Sequence, residues 1–287
     1  MNNKKKIILL AFATQDLKKS VNRLQKQAEE SLYYDLIKIF NPNDFDDTLK
    51  VYINNLLKKN KKRGYGFWFW KPYLIKKMMN NINENDIIHY MDVGCHIVKN
   101  KNNKFNEYLN FLIDEKNWIL PFQYYFDENQ KNNRINFPER QEYKYTKSDL
   151  LKYFNFTNSK EITDTPQFWA GNILIKKSKE SKDFLSEWIN IMYNNFHLVD
   201  DSISKINNHK DFIENRHDQS VFSLLCKKYK LNSFSAYECD WAIKNNKRTW
   251  EHNLNSPILA KRDLKYGIIK RFFIRQKKNL NRLLKKI

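Results

Sequence analysis

An aspartate follows directly after a mostly apolar run in the first third of the chain. Residues 86–91 are bounded by polar turns, and the run ends in Asp92, with Gly94 two positions later. A short apolar run of this kind is typical of a buried strand in an α/β sheet, and such sheets bind ligands outside the carboxyl ends of their strands. The pattern predicts that Asp92 is a functional carboxylate. The alternative is that it caps the next turn or helix.

Residues 63–72 combine two glycines, four consecutive aromatic residues and two cations. Glycine lets a backbone approach a ligand, aromatic rings offer stacking faces, and Arg63 and Lys71 can neutralise a diphosphate. The combination is typical of a nucleotide-diphosphate pocket. The aromatic residues 67–70 are also what a protein core requires, so the two cations are the stronger candidates.

Residues 164–172 place the small residues Ala170 and Gly171 among bulky ones in a predicted strand. Small side chains leave room for a sugar beside the backbone, and Gln167 can hydrogen-bond to hydroxyl groups. Gln167 and Trp169 are the predicted acceptor-binding residues. The alternative is close packing of the strand against a helix.

A third segment, 214–220, places His217 and Asp218 at the start of a predicted helix, and Asp201 lies upstream in an acidic pair. A helix start with an imidazole and a carboxylate can hold a metal, a phosphate or an acceptor hydroxyl. The alternative is that Asp218 and Ser220 satisfy free backbone amides.

The surrounding pattern alternates strands and helices and begins as a β-α-β unit, which indicates an α/β domain with a mostly parallel central sheet flanked by helices. We predict one domain over residues 1–262 and a basic tail over 263–287. Thr146 is predicted to be the N-cap of a helix over 146–154. The predicted strands are 7–14, 35–41, 86–92, 118–125, 167–176 and 233–237, and the predicted helices are 17–32, 70–82, 105–116, 146–154, 178–196 and 218–229.

The amino-acid composition limits the kinds of partner that this protein can bind. The formal charge is +20, with 41% hydrophobic and 15% aromatic residues, so we expect a folded protein that attracts anions such as nucleic acid, lipid headgroups or phosphorylated small molecules. The three cysteines are too few and too scattered for a disulfide framework. Their scarcity favours a cytosolic protein. No apolar run approaches the roughly 20 residues of a membrane-spanning helix. The tail interleaves Lys and Arg with apolar residues, a pattern typical of an amphipathic helix on an anionic membrane surface, or of a helix packed on the domain.

Several enzyme classes lack their motifs here: the chain has no Walker-type loop, Gly-x-Gly-x-x-Gly, Gly-x-Ser-x-Gly or His-Glu-x-x-His. Two other classes stay open. One is a divalent-metal nuclease or phosphotransferase, which would require several carboxylates to converge on one ion. The other is a non-catalytic protein, either basic and nucleic-acid-binding or a membrane-targeting scaffold.

Four segments taken in order, 63–72, 90–95, 167–171 and 216–220, resemble a group of bacterial GT-A-type glycosyltransferases encoded with capsule and lipopolysaccharide genes. The likeness covers most of residues 1 to about 262. It implies a GT-A-like fold and transfer of a sugar from a nucleotide-sugar donor, such as UDP-galactose, to a hydroxyl of a lipid-linked or surface glycan. No nucleic-acid partner is expected. The implied location is the cytoplasmic face of the inner membrane, reached through the basic tail.

The resemblance also implies roles for individual residues. In GT-A enzymes an Asp-x-Asp binds the divalent cation, Mn²⁺ or Mg²⁺, that bridges the donor diphosphate. Here Asp92-Val93-Gly94 lacks the second carboxylate, so the sequence leaves metal dependence open, with Asp92 and His217 as the predicted ligands. Asp218 is the predicted catalytic base and Asp201 the second candidate. The predicted donor-binding residues are Phe12, Ala13, Thr14, Arg63, Lys71, Asp92, Gly94, Ala170 and Gly171.

Overall fold

A computed structural model describes residues 5–59, 61–114, 116–126, 134–262 and 276. Its strands are β1 (Ile7–Phe12), β2 (Leu36–Phe40), β3 (Ile87–Met91), β4 (His96–Ile97), β5 (Ile119–Gln123), β6 (Phe168–Lys176), β7 (Phe234–Ser235), β8 (Ala242–Lys244), β9 (Lys247–Thr249) and β10 (Ile258–Leu259). Its helices are α1 (Lys18–Ser31), α2 (Asp47–Lys58), α3 (Gly64–Phe67), α4 (Trp70–Asn80), α5 (Asn102–Phe111), α6 (Glu142–Tyr145), α7 (Ser148–Tyr153), α8 (Lys160–Thr163), α9 (Lys179–Asn194) and α10 (Asp218–Lys228).

The central sheet has the strand order β2-β1-β3-β6-β5-β7. Strand β1 pairs in parallel with both β2 and β3, and β5 pairs in parallel with β7. Strand β6 is antiparallel to both of its neighbours, so it runs against the other five. This confirms the predicted α/β class with a mostly parallel sheet, and it places the ends of β1 and β3 at one edge.

Helices cover both faces of the sheet. Side chains along each strand point alternately to the two faces, so each face packs against its own set of helices. On β1, Leu10 and Phe12 belong to a core that includes apolar residues of α2, α4, α9 and α10. Leu9 and Ala11 belong to the opposite core, which includes residues of α1 and α5. All four side chains are buried. The sheet edge that carries Asp92 is therefore fixed by packing from both sides.

The prediction that Thr146 is a helix N-cap is wrong. Thr146 follows α6, and its hydroxyl donates a 2.5 Å hydrogen bond to the buried carboxylate of Glu142. Helix α7 begins at Ser148, with Lys147 at the N-cap position. The side chain of Asp149 accepts hydrogen bonds from two backbone amides of a distant loop, so neither polar residue caps this helix.

The predicted tail over 263–287 lies outside the described residues, apart from Gln276, and its role stays a prediction. Among the residues that the structure describes, no helix has the length and apolar character needed to cross a membrane.

Candidate functional site

Asp92 stands at the carboxyl edge of the sheet, directly after β3. Its backbone amide donates to the carbonyl of Gly171 at 2.9 Å, and its Oδ1 accepts a 2.7 Å hydrogen bond from the hydroxyl of Tyr90. The carboxylate is 35% exposed. Asp92 is thus held from two sides while one part of it faces solvent, as a substrate-contacting group requires.

Lys71 brings the predicted site residues together. It lies in the first turn of α4, only 3% exposed, and its Nζ is 2.5 Å from Asp218 Oδ2 and 3.6 Å from Asp92 Oδ1. The same ammonium donates a 3.0 Å hydrogen bond to the carbonyl of Ala170. Asp92 and Asp218, which are far apart in sequence, therefore share one buried cation.

Burial sets the protonation of this cluster. Removal from water raises the pKa of Asp218 to about 6, although Lys71 opposes the shift and Asp92 adds to it. Burial alone would lower the pKa of Lys71, but its two carboxylate partners outweigh that effect and raise it. Above pH 6 the cluster contains a charged lysine and an ionised Asp218, a carboxylate with the proton affinity that suits a general base.

Gly171 is required by the space around Asp92. A Cβ at this position would lie 2.4 Å from Trp169 Nε1 and 2.9 Å from Asp92 Oδ2. The predicted small residue is thus explained by the Trp169 indole and the Asp92 carboxylate, which occupy the space that a side chain here would need. At Gly94, a Cβ would meet Cγ of Arg262 at 3.4 Å, an ordinary contact.

The end of β1 is largely buried. The ring of Phe12 packs on Trp70 with centroids 4.1 Å apart, and the amide of Ala13 donates to the carbonyl of Phe40. Thr14 is half-buried, and its hydroxyl donates to Asp16. Of the three predicted donor-binding residues on this strand end, Thr14 is the most accessible.

Residues 64–68, which include the short α3, have left-handed backbone and join Arg63 to α4. The φ angles are +56° at Gly64, +54° at Tyr65, +89° at Gly66, +56° at Phe67 and +60° at Trp68. Left-handed backbone costs a non-glycine residue about 1–3 kcal/mol. A Cβ at Gly64 would overlap the indole of Trp68, and the indole N–H of Trp70 donates to the Gly64 carbonyl. The two glycines adopt this left-handed backbone without strain, and the connection fixes where α4 begins and so where Lys71 lies.

His217 belongs to a second cluster. Its backbone is also left-handed, with φ of +57°, and its Nδ1 donates a 2.7 Å hydrogen bond to the carbonyl of Val199. Nε2 is buried without a hydrogen-bond partner among the described residues and lies 3.7 Å from Asp201 Oδ1. Burial, with a smaller effect of Arg63, lowers the pKa of His217 to about 4, so the imidazole is neutral at neutral pH.

Arg63 links the acidic residues of this second cluster. Its Nη1 lies 3.0 Å from Asp201 Oδ1, its Nη2 lies 3.7 Å from Glu214, and its side chain is 38% exposed. The neighbouring Asp200 pairs instead with Lys61 at 2.7 Å. Asp201 is therefore placed beside Arg63 and His217.

The predicted metal ligands fall in different clusters. Asp92 contacts Lys71 and Tyr90, whereas the imidazole of His217 contacts Val199 and faces Asp201. Within the described ranges, no group of three or more His, Cys, Asp or Glu residues could hold a metal ion. This donor set does not fit a divalent cation held by Asp92 and His217 together.

Gln167 lies in a buried polar network behind the strand. Its amide nitrogen donates to Glu142 and Thr146, and its Oε1 accepts from Gln219 at 3.0 Å. The carboxylate of Glu142 also pairs with Lys227 at 2.6 Å. The acceptor-binding role predicted for Gln167 stays a prediction, because its amide is engaged in this network.

The sequence analysis missed two contributors to the Asp92 cluster. Tyr90 lies under Lys71, with Nζ 5.2 Å from its ring centre, and it holds Asp92. Its position two residues before Asp92, on the same face of the strand, was the available signal. The carbonyl of Ala170 could not be predicted from the sequence, because every residue has a backbone carbonyl.

No protein-family model matches this chain, and no curated protein matches it in sequence. Solved structures with a similar arrangement include mouse xyloside xylosyltransferase 1 in its apo form, with 12% identity over 82% of this chain and 86% of that chain at a TM-score of 0.42. They also include the galactosyltransferase LgtC in complex with donor and acceptor sugar analogues, with 12% identity over 82% of this chain and 75% of that one at 0.38. An active-site mutant of LgtC is 12% identical over 94% of this chain and 95% of that one at 0.42. These likenesses are distant.

Proposed function

We propose that this protein is a glycosyltransferase that moves a sugar from a nucleotide-sugar donor to a hydroxyl of a cell-surface polysaccharide or lipopolysaccharide precursor. The observation that carries the proposal is the contact of buried Lys71 with both Asp92 and Asp218 at the carboxyl edge of the sheet. That edge is where α/β sheets bind ligands. The proposed donor is a UDP-sugar such as UDP-galactose.

Glycosyl transfer breaks the bond between the anomeric carbon and the diphosphate and forms a bond to the acceptor oxygen, whose proton must leave. Asp218 is the proposed base, because its pKa of about 6 leaves it ionised at neutral pH and Lys71 fixes its position. Asp201 is the second candidate. Asp92 is the more exposed carboxylate and is proposed to contact the donor.

The departing diphosphate carries negative charge that the site must stabilise. The Asp92 and His217 donor set does not fit a divalent cation, so protein cations are proposed for this task. Arg63 is the more accessible candidate, with 38% of its side chain exposed, and Lys71 lies deeper. The formal charge of +20 favours binding of an anionic donor in general.

The geometry does not support the alternative functions, a metal nuclease, a scaffold or a nucleic-acid-binding protein. A metal nuclease requires several carboxylates around one ion, but each candidate has a cationic partner: Lys71 for Asp92 and Asp218, Arg63 for Asp201. A scaffold without catalysis would be favoured if Asp92 and Asp218 lay far apart. Both carboxylates instead contact Lys71, which does not support a scaffold. Many aromatic side chains are buried in the two cores, which does not support a stacking surface for nucleic acid.

The acceptor is proposed to lie at the cytoplasmic face of the inner membrane, reached through residues 263–287. Co-sedimentation with phosphatidylglycerol vesicles tests this part. We expect the full chain to sediment and a chain ending at residue 262 to stay in the supernatant, while neutral phosphatidylcholine vesicles retain neither.

The direct test of the reaction is UDP release from a set of UDP-sugars that includes UDP-galactose. We expect Asp218→Asn to lower the rate by about 100-fold or more, the usual range for a lost general base. Asp92→Asn should also lower the rate, because a contact to the donor is lost. Asp183→Asn, at an exposed position of α9, is the matched control and should keep the wild-type rate. Equal rates in all three variants would contradict the proposal.

The pH profile separates the two carboxylates. If Asp218 is the base, the wild-type rate should fall below pH 6 as Asp218 takes up a proton. The residual activity of Asp218→Asn should lack that acidic limb, whereas the residual activity of Asp92→Asn should keep it.

A further inference from the structure

Two arginines with no role in the proposed chemistry lie next to the candidate site. Arg216 directly precedes His217 and Asp218, and the carbonyl of Arg140 accepts the amide of Gln167 at 2.8 Å, one residue before β6. Arg140 thus stands beside the start of β6 and the end of β5, and Arg216 stands just before α10, which packs on β6. In the sheet these strands lie on the far side of β3 from β1, whose end is predicted to bind the donor.

Both guanidinium groups lie over aromatic rings. The Cζ of Arg216 lies 3.8 Å from the ring centre of Tyr145. The Cζ of Arg140 lies 4.8 Å from the ring centre of Tyr124 and 5.3 Å from that of Trp241. A guanidinium held over a ring can still direct N–H groups at a carboxylate or phosphate, which arginine binds with two parallel hydrogen bonds.

The charge of Arg216 is poorly compensated inside the protein, whereas Tyr124 and the carboxylate of Asp240 raise the pKa of Arg140 despite its burial. Arg140 Nε is buried and has no hydrogen-bond partner in the described part of the chain, and Nη2 is 3.9 Å from the carboxylate of Asp240. Asp240 itself accepts hydrogen bonds from the hydroxyl of Tyr124 and the amide of Trp241. Across the described ranges, Arg216 forms no ion pair within 4 Å. A buried donor left without a partner costs about as much as a lost hydrogen bond, and a ligand can supply the partner.

The two cations also lie near each other. Burial lowers the pKa of Arg216, and the charge of Arg140 lowers it further. Both arginines oppose the strong upward shift that burial and Asp240 impose on the pKa of Tyr124. Two partly desolvated cations near one tyrosine hydroxyl repel each other, and an anion between them would relieve that repulsion.

We propose that Arg140 and Arg216 form a binding site for an anionic group, a carboxylate or a phosphate, carried by the glycan acceptor. The assignment to the acceptor rests on the proposed function, because it follows from the position of the cluster on the side of β3 away from the predicted donor end. The binding of an anion rests on the cluster alone. The acceptor class is thus an acidic glycan rather than a neutral one.

The test is a titration of the protein with three small probes: glucuronate, glucose 6-phosphate and neutral glucose. We expect an acidic probe to bind more tightly than glucose, with the tighter of the two identifying carboxylate or phosphate. Arg140→Gln should weaken that binding by about tenfold or more, the usual effect of losing a charged hydrogen-bond partner. Lys58→Gln, at the exposed end of α2, removes the same charge from the surface and should bind as wild type.

Arg216→Lys is the second variant, because it keeps the charge and should preserve folding while it removes the two-pronged geometry. We expect weaker binding of the acidic probe with an unchanged melting temperature. Acidic probes that bind no better than glucose, or that bind Arg140→Gln and Arg216→Lys as tightly as wild type, would overturn the proposal.

A parallel titration with UDP keeps the two proposals apart. If UDP binds and the acidic probes do not, the anion site fails while the proposed function stands. If an acidic probe binds through Arg140 and UDP does not bind, the anion site stands and its assignment to a glycosyl acceptor fails.

Discussion

Replacing Lys71 with methionine should leave Asp218 as a buried carboxylate without its ion pair. The Nζ of Lys71 is 2.5 Å from Asp218 Oδ2, and both residues are under 5% exposed. Breaking a buried pair by removing one partner costs about 3–5 kcal/mol. With Lys71 present, the shift of the Asp218 pKa from 3.8 to about 6 already corresponds to about 3 kcal/mol against the ionised form. We therefore expect Lys71→Met to lose about 3–5 kcal/mol of unfolding free energy at pH 8.

The loss should depend on pH. Without Lys71, folded Asp218 holds its proton to a higher pH than the unfolded chain does, so the unfolding free energy should rise as pH falls from 8 to 5. Urea unfolding followed by circular dichroism at both pH values measures this. The double variant Lys71→Met with Asp218→Asn leaves only the partly exposed Asp92 without Lys71, so it should recover much of the stability at pH 8 without recovering activity.

Lys76→Met is the control on the same helix, because its ammonium contacts the neutral hydroxyl of Ser186. It should cost about 1 kcal/mol or less, as expected for one ordinary hydrogen bond. The reasoning is refuted if Lys71→Met is as stable as Lys76→Met at pH 8. It is equally refuted if the double variant is no more stable than the single one.

Other predictions concern the packing and protonation around the site. Gly171→Ala should lower the unfolding free energy by about 1–3 kcal/mol, because the new methyl group would lie 2.4 Å from Trp169 Nε1. Thermal unfolding measures this loss. The variant should also bind UDP more weakly, which a UDP titration measures. His217 should stay neutral down to about pH 4, so ¹⁵N NMR should show one protonated and one unprotonated ring nitrogen at pH 6, and a charged imidazole there would contradict the assigned environment. Glu142→Gln should cost about 3–5 kcal/mol by leaving Lys227 buried without its partner, and adding Lys227→Met should restore part of that loss in urea unfolding.

Local patterns were enough to predict the parts of the fold that depend on neighbouring residues. The run before Asp92 correctly predicted a buried strand that ends at this residue. The helix predicted over 178–196 matches α9 to within two residues, with Ser178 as its N-cap rather than its first residue. Helix α2 was missed, although Leu49 and Ile53 on one face of it are a helical signal.

Features that depend on distant residues were not predictable in the same way. Strand direction is not encoded in hydrophobic periodicity, so the reversal of β6 could not be seen. Thr146 was assigned to a helix start because its buried partner, Glu142, is recognised only after folding. The same holds for Arg140, whose guanidinium lies over the ring of Trp241, a residue far along the chain.

The central claim is that the edge of the sheet around Asp92 binds a nucleotide-sugar. The melting temperature of the purified protein with UDP, GDP, CMP, ADP or a single-stranded oligonucleotide, each with manganese and with EDTA, tests it most directly, since a ligand of the native state raises that temperature. We predict a rise with UDP that survives EDTA and is lost in Asp92→Asn. A rise with the oligonucleotide alone, or with no nucleotide, would contradict the claim.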